Sequence, residues 1–174
     1  MSKNNFTIIG LCNPKSPTNV GAVMRAAGCY QADEVRFTGE RFAKAAKYHT
    51  DTKDMTTKIA LNQMQSMTDD LDADIKIVCV ELAEGATPLP QFNHPQKALY
   101  IFGPEDSSIP QSIVDKADEV VYVPTIGCMN LAATVNVLLY DRLAKSGQEI
   151  DHASRVLESR DVNNRLKVSQ HEQS

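Results

Sequence analysis

Five short apolar runs, each five to eight residues long and most of them leading through a turn into a helix-like stretch, constrain this chain more than any other feature. They lie at Phe6 to Cys12, Glu34 to Thr38, Ile75 to Leu82, Ala98 to Phe102 and Glu119 to Val123. Most of their residues are apolar in succession rather than in alternation, as in strands buried on both faces. Such strands separated by helices make an α/β domain: a mainly parallel sheet covered by helices on both faces. Ligands then bind beyond the carboxyl ends of the strands.

Between the runs, Thr18 or Asn19 caps a helix that reaches about Tyr30. Arg41 to Tyr48, Lys58 to Met67, Gln111 to Lys116 and Met129 to Lys145 also read as helical. His49 to Thr57 is polar and reads as a loop, and Pro88, Pro90 and Pro95 make the stretch from Glu84 to Gln96 irregular. No repeat or low-complexity segment interrupts the pattern. We therefore expect a single domain over residues 1–146, with 147–174 a polar tail, partly helical or disordered.

The 174 residues suffice for one domain with its own core, and 42% of them are apolar. No apolar run approaches the roughly 18 residues that span a membrane, and the first residues do not read as a signal peptide. A cytoplasmic protein without membrane contact is expected. Cys12, Cys29, Cys79 and Cys128 are far apart, with no CxxC pair and no His cluster, so they read as reduced thiols, most of them in the core, and no metal site is expected. The net charge of −4 argues against a general nucleic-acid binder. The charge is uneven, however. Arg36, Arg41, Lys44, Lys47, Lys53 and Lys58 outnumber the acids around them, while Asp69 to Glu84 is acidic. The basic stretch fits either a local phosphate-binding patch or a solvated helix face.

Three polar signatures sit where strands end or helices begin. The first is Thr18-Asn19-Val20-Gly21-Ala22-Val23-Met24-Arg25, opening a helix that is apolar almost all round with Arg25 as its only charge. A buried or half-buried arginine there needs a partner: a bound phosphate or carboxylate, or an acid on another element. The second is Phe102-Gly103-Pro104-Glu105, where a strand ends at a glycine that can admit a ligand to the backbone, and Glu105 follows as a site residue or a plain cap. The third is Val123-Pro124-Thr125-Ile126-Gly127-Cys128-Met129-Asn130, a tight loop whose Asn130 is either an N-cap or a site residue.

These signatures, in this order, resemble the motifs of the SPOUT superfamily of RNA methyltransferases, TrmH (SpoU) type, which methylate ribose 2′-hydroxyls. The resemblance runs from about Phe6 to Leu143. Asn19, Gly21 and Arg25 match the first motif, N-x-G-x-x-x-R. Phe102, Gly103 and Glu105 match the second, and Pro124, Gly127 and Asn130 the third. Two positions depart from the pattern: Cys128 stands where the family usually has Ser, and Ser108 where it usually has Gly.

The resemblance implies an α/β sheet with a C-terminal trefoil knot, which nothing in the periodicity shows, since chains knot very rarely. It implies S-adenosyl-L-methionine held by the loops after Leu82, Phe102 and Val123, at Val80, Glu81, Leu82, Phe102, Gly103, Pro104, Val123, Thr125, Ile126, Cys128 and Met129. It implies a homodimer with sites built across its interface, and tRNA or rRNA as substrate. Arg25, with Asn19, Glu105 and Asn130 orienting the site, would carry catalysis. Lys15, Arg41, Lys44 and Lys47 are the candidates for RNA phosphates. A non-catalytic homologue that binds RNA or cofactor is the alternative. An unrelated nucleotide-binding protein lacks support, because neither G-x-G-x-x-G nor a P-loop occurs.

Overall fold

The computed structural model describes residues 4–46 and 59–168. Seven strands form one wholly parallel sheet: β1 (Phe6–Leu11), β2 (Glu34–Phe37), β3 (Ala60–Gln63), β4 (Lys76–Val80), β5 (Thr87–Pro88), β6 (Lys97–Phe102) and β7 (Glu119–Tyr122), in the order β3-β2-β1-β6-β4-β7-β5. The helices are α1 (Pro17–Cys29), α2 (Arg41–Ala46), α3 (Gln111–Val114), α4 (Leu131–Lys145) and α5 (His152–Ser159).

The apolar runs become the five principal strands because the sheet has a core on each face. Successive residues of a strand point to opposite faces. Ile9, Leu11, Val78, Val80, Tyr100 and Phe102 join the larger cluster, with Val20, Val23, Met24, Ala27, Leu131, Val135 and Leu138 of α1 and α4. Ile8, Cys79, Leu99 and Ile101 face the other way, onto Met67, Ile75 and Ile109. Each large aliphatic side chain so buried contributes roughly 1.5–3 kcal/mol. Cys12 and Cys79 are buried, and burial pushes their thiols up to about 11 and about 12. Cys29 and Cys128 are exposed, so half of the cysteines, not most, are core residues.

Three expectations need correction. The stretch from Lys58 to Met67 is not a helix in its described part. Residues Ala60–Gln63 pair with β2 as a polar edge strand, and Asn62 and Gln63 donate to the Glu34 carboxylate and the Gly39 carbonyl. Beyond it, buried Arg36 pairs with Glu34 and donates to the carbonyls of Met67 and Asp69, holding Met67 in the core as a turn. Arg36 is therefore no part of a basic surface. Second, the irregular Pro-rich stretch holds β5 and a 3₁₀ turn at Leu89–Gln91. Third, α1 is capped by Ser16, whose hydroxyl accepts from Asn19 N, with Pro17 in the first turn where its missing N–H costs nothing. That places the Asn19 side chain inside the first turn. The tail carries α5, none of whose residues is buried. Among the described residues no helix is long and apolar enough to cross a membrane, and no group of three or more His, Cys, Asp or Glu stands together as a metal site.

The C-terminal half of α4 is tied to the Pro-rich stretch by a polar network. Arg142 donates to the carbonyls of Pro95 and Gln96, to Asn5 Oδ1 and to the Tyr100 hydroxyl, while Lys145 donates to the carbonyls of Leu89 and Phe92. Because the Tyr100 oxygen accepts from Arg142, its proton is free for His94 Nδ1, 2.8 Å away. His94 is then neutral and donates from Nε2 to Asp141 at 2.9 Å. Burial lowers the His94 pKa from 6.5 and outweighs the opposing pull of Asp141. Among the described residues no buried side-chain nitrogen or oxygen lacks a partner.

Two outcomes follow for urea unfolding. Tyr100→Phe leaves His94 Nδ1 and an Arg142 N–H unpaired and should cost about 1–3 kcal/mol. A histidine whose pKa is lowered on folding stabilises fully above its unfolded value, so stability should fall as pH drops through 6.5 towards the lower folded value. That part of the decline should be missing in His94→Gln.

Candidate active site

The loops after β4, β6 and β7 emerge side by side, because those strands are neighbours in the order β6-β4-β7. Between them lies a cavity of about 440 Å³. Val80, Glu81 and Leu82 line it from the first loop, Phe102, Gly103 and Pro104 from the second, and Val123, Thr125, Cys128 and Met129 from the third. Ile126, expected beside them, does not. It is fully exposed at the tip of its loop, where Gly127 turns the chain with a φ of +88° that side chains rarely adopt. Thr125 closes the same turn by donating from Oγ1 to the Gly127 carbonyl at 3.0 Å.

The cavity walls are held by the chain itself. Glu81 accepts from Leu82 N with one carboxylate oxygen and from Ile109 N with the other, both at 3.0 Å, which ties the β4 loop to the β6 loop. Gly103 serves this closure. A Cβ there would stand 3.1 Å from Ile109 N and 3.2 Å from Glu81 Oε2, so the glycine makes room for the returning loop. Glu105, Ser108 and Gly127, named among the motif positions, also line the cavity, as do Asp106, Ser107, Tyr122, Leu131 and Thr134, which the sequence reading does not place there. Thr134 carries a further signal, one helical turn after Asn130 on the same side of α4.

The three signatures meet at the rim. Glu105 accepts from Lys15 N at 2.8 Å, Ser16 N at 3.0 Å and Asn19 Nδ2 at 3.0 Å. Asn19 Oδ1 in turn accepts from Asn130 Nδ2 at 3.1 Å. The other end of the Asn130 side chain accepts from Ala132 N at 2.9 Å and Ala133 N at 3.4 Å and caps α4. Asn130 is thus the N-cap of α4, and its side-chain amide also joins the Glu105–Asn19 network. Burial pushes the Glu105 carboxyl up, but the Asn19 amide and the backbone N–H groups outweigh it and hold it below its ordinary 4.5.

Arg25 stands outside this network. It is exposed, and no partner for it occurs among the described residues. The expectation of a buried or half-buried arginine fails because α1 leaves one face uncovered, at Thr18, Ala22, Arg25 and Cys29. Glu105 and Asn130 orient Asn19, not Arg25. Of the phosphate candidates, Lys15 and Arg41 lie near the rim and share Asp106 as an ion-pair partner, and Lys44 pairs with Glu40 on the surface at 2.7 Å. Lys47 lies outside the described residues.

Glu105→Gln should test the rim. A carboxyl with a lowered folded pKa stabilises above its unfolded value near 4.5 and loses that contribution as pH falls through the folded value. The variant should be less stable than the parent in urea at pH 7, with the gap closing on acidification below pH 4.5. A pH-independent gap would place the contribution elsewhere.

Solved structures with this architecture include the SpoU methyltransferase AviRb from Streptomyces viridochromogenes in complex with AdoMet, at a TM-score of 0.69 and 19% identity over 85% of this chain. The chain spans 61% of that protein's length. A structure concerning the 2-OH methylation of C/U34 on tRNA superposes at 0.66 and 18% identity, over 84% of this chain and 100% of the other. The A. aeolicus TrmH/SpoU tRNA modifying enzyme superposes at 0.66 and 14% identity, over 90% and 87%. At such identities the likeness establishes the fold. No sequence among the curated proteins is significantly similar to this one. The model of the SpoU rRNA Methylase family, however, matches residues 7–140, which contain all three signatures, and the chain belongs to that family.

Proposed function

We propose that this protein is an RNA methyltransferase that uses S-adenosyl-L-methionine to methylate a ribose 2′-hydroxyl, with tRNA favoured over rRNA as substrate. The observation that carries the reading is the hydrogen-bonded series Glu105–Asn19–Asn130, which joins all three family signatures at the rim of one cavity. The preference for tRNA rests on size: the structure concerned with tRNA 2-OH methylation is matched along its whole length.

The cavity fits the cofactor. Its volume of about 440 Å³ lies within the range of small-molecule sites, and it mixes apolar walls with a few fixed polar groups. The residues to hold the cofactor are those lining the three loops, with Glu81 and Thr125 keeping the loops in shape. Bound there, S-adenosyl-L-methionine supplies an electrophilic methyl group on a sulfonium centre. Cys128 and Ser108 both line the cavity without filling it, so the departures from the family pattern leave the pocket open.

Arg25 cannot serve as the base, since a guanidinium stays protonated in proteins. Its role is to anchor the phosphate next to the target ribose and to stabilise the alkoxide as the hydroxyl loses its proton. Asn19, held between Glu105 and Asn130, fixes the start of α1 and so the approach of the ribose. Alignment of acceptor and methyl group supplies much of the rate.

Arg25 reaches a site by dimerisation. α1 packs against α4, and beside the open face of α1 the outer face of α4 exposes Ala133, Val137, Tyr140 and Leu143. A homodimer through these two helices covers the apolar surface and carries Arg25 to the partner's cavity. The C-terminal trefoil knot belongs to the same reading, with the segment from Val123 through α4 as the threaded part. So does a cytoplasmic location.

With purified protein and bulk tRNA, Arg25→Ala should lower methyl transfer by about 10²–10³-fold while calorimetry finds cofactor affinity unchanged. Cys128→Trp, which fills the cavity, should lose both. Co-expressed, the two inactive variants should regain activity, because a mixed dimer pairs one intact cavity with one intact Arg25. Full transfer by Arg25→Ala would contradict its role, and no recovery in mixed dimers would contradict a shared site. Cofactor binding with no methylation of any RNA by the unaltered protein would favour the non-catalytic homologue.

A further inference from the structure

Lys15 and Arg41 come from different parts of the chain and converge on one carboxylate. Arg41, the first residue of α2, donates from Nη1 to Asp106 Oδ1 at 3.0 Å and from Nη2 to Oδ2 at 2.8 Å. Lys15, in the loop between β1 and α1, places Nζ 3.7 Å from the same Oδ2. All three side chains remain in solvent, 33% exposed for Arg41, 48% for Asp106 and 65% for Lys15. The convergence is nonetheless built, because Glu105, next to Asp106, fixes the backbone of Lys15 and Ser16 through its own carboxylate. Lys44 offers a contrast: its partner Glu40 lies one turn back, and both are more than 70% exposed.

A guanidinium fork closed on two oxygens, with an ammonium beside it, is the arrangement by which arginine and lysine hold a phosphate. Exposed pairs of this kind hold weakly, so the carboxylate is exchangeable. We propose that Asp106 occupies the seat of an RNA backbone phosphate, and that RNA binds by displacing Asp106 from Arg41 and Lys15. This rests on the RNA-methyltransferase reading above.

The exchange has a direction. Carboxylate and phosphodiester each carry one negative charge, so the cations stay neutralised to the same degree. The released Asp106 remains on the β6 loop, next to the incoming phosphate, and repels it. Asp106 therefore weakens RNA binding, and only an RNA with further contacts on the surface overcomes it. Asp106 and its neighbours Ser107 and Ser108 also line the cofactor cavity, so phosphate arrival is felt there. If the Arg41–Asp106 pair were instead a fixed strut between α2 and the loop, removing it would loosen the site and gain no affinity.

The test is fluorescence anisotropy of labelled bulk tRNA with the full chain across a salt series. Asp106→Asn should bind roughly 3- to 10-fold tighter at low salt, and its log–log salt slope should steepen by about one, as for one more cation made available to phosphate. Arg41→Ala placed in the Asp106→Asn background should abolish the gain. Asp74→Asn removes the same charge from an ion pair with Lys97, at the amino-terminal edge of the sheet, and should leave affinity near the parent's. The phosphate seat is overturned if Asp106→Asn binds no tighter than the parent, or if Asp74→Asn gains as much. Absence of salt-dependent tRNA binding by the parent would overturn the RNA-methyltransferase reading with it.

Discussion

One carboxylate organises the carboxyl edge of the sheet. Glu105 leaves β6 and captures two backbone N–H groups and one side-chain amide from the segment that follows β1. β1 and β6 pair along their whole lengths, so their loops start as neighbours, and the carboxylate has only to bridge them. Asn19 passes the constraint to Asn130, which caps α4. Charge-assisted hydrogen bonds to backbone N–H groups are among the stronger ones a side chain makes. Neutralising Glu105 would therefore release the start of α1, the position of Asn19 and the entry to α4 together.

What the sequence disclosed depended on whether a residue's environment is local. The five apolar runs are strands because each is buried on both faces, and that burial is written in composition. β3 was not visible. Ala60 to Gln63 has no apolar pattern, and it is a strand only because β2 offers a free edge and Glu34 and Gly39 offer partners. β5 contains a proline, which cannot donate to a ladder, and lies at the sheet's other edge, where that is tolerated. Ser16, Thr18 and Asn19 can all cap a helix; Pro17, suited to the first helical turn, decides for Ser16.

The site was legible to the same degree. Most of the loop residues expected at the cofactor line the cavity, because strand ends mark where loops emerge. Ile126 points away since Gly127 reverses the chain next to it, a conformation that apolar character does not encode. Arg25 shows the limit of reading burial from a helical wheel. α1 is apolar almost all round, yet Ala22 and Cys29 face solvent beside Arg25. Periodicity reports which faces are apolar, not what covers them. That uncovered face, on a helix packed against α4 with its own exposed side chains, is the feature that moves Arg25 from an intrachain partner to the proposed interface.

The proposed methyl acceptor is a ribose 2′-hydroxyl of RNA. The most direct measurement is nucleoside mass spectrometry of bulk tRNA and rRNA incubated with the purified protein and methyl-labelled S-adenosyl-L-methionine. The label is expected in a 2′-O-methyl nucleoside, lost as labelled ribose when the glycosidic bond is cleaved. Label retained on the free base would contradict it.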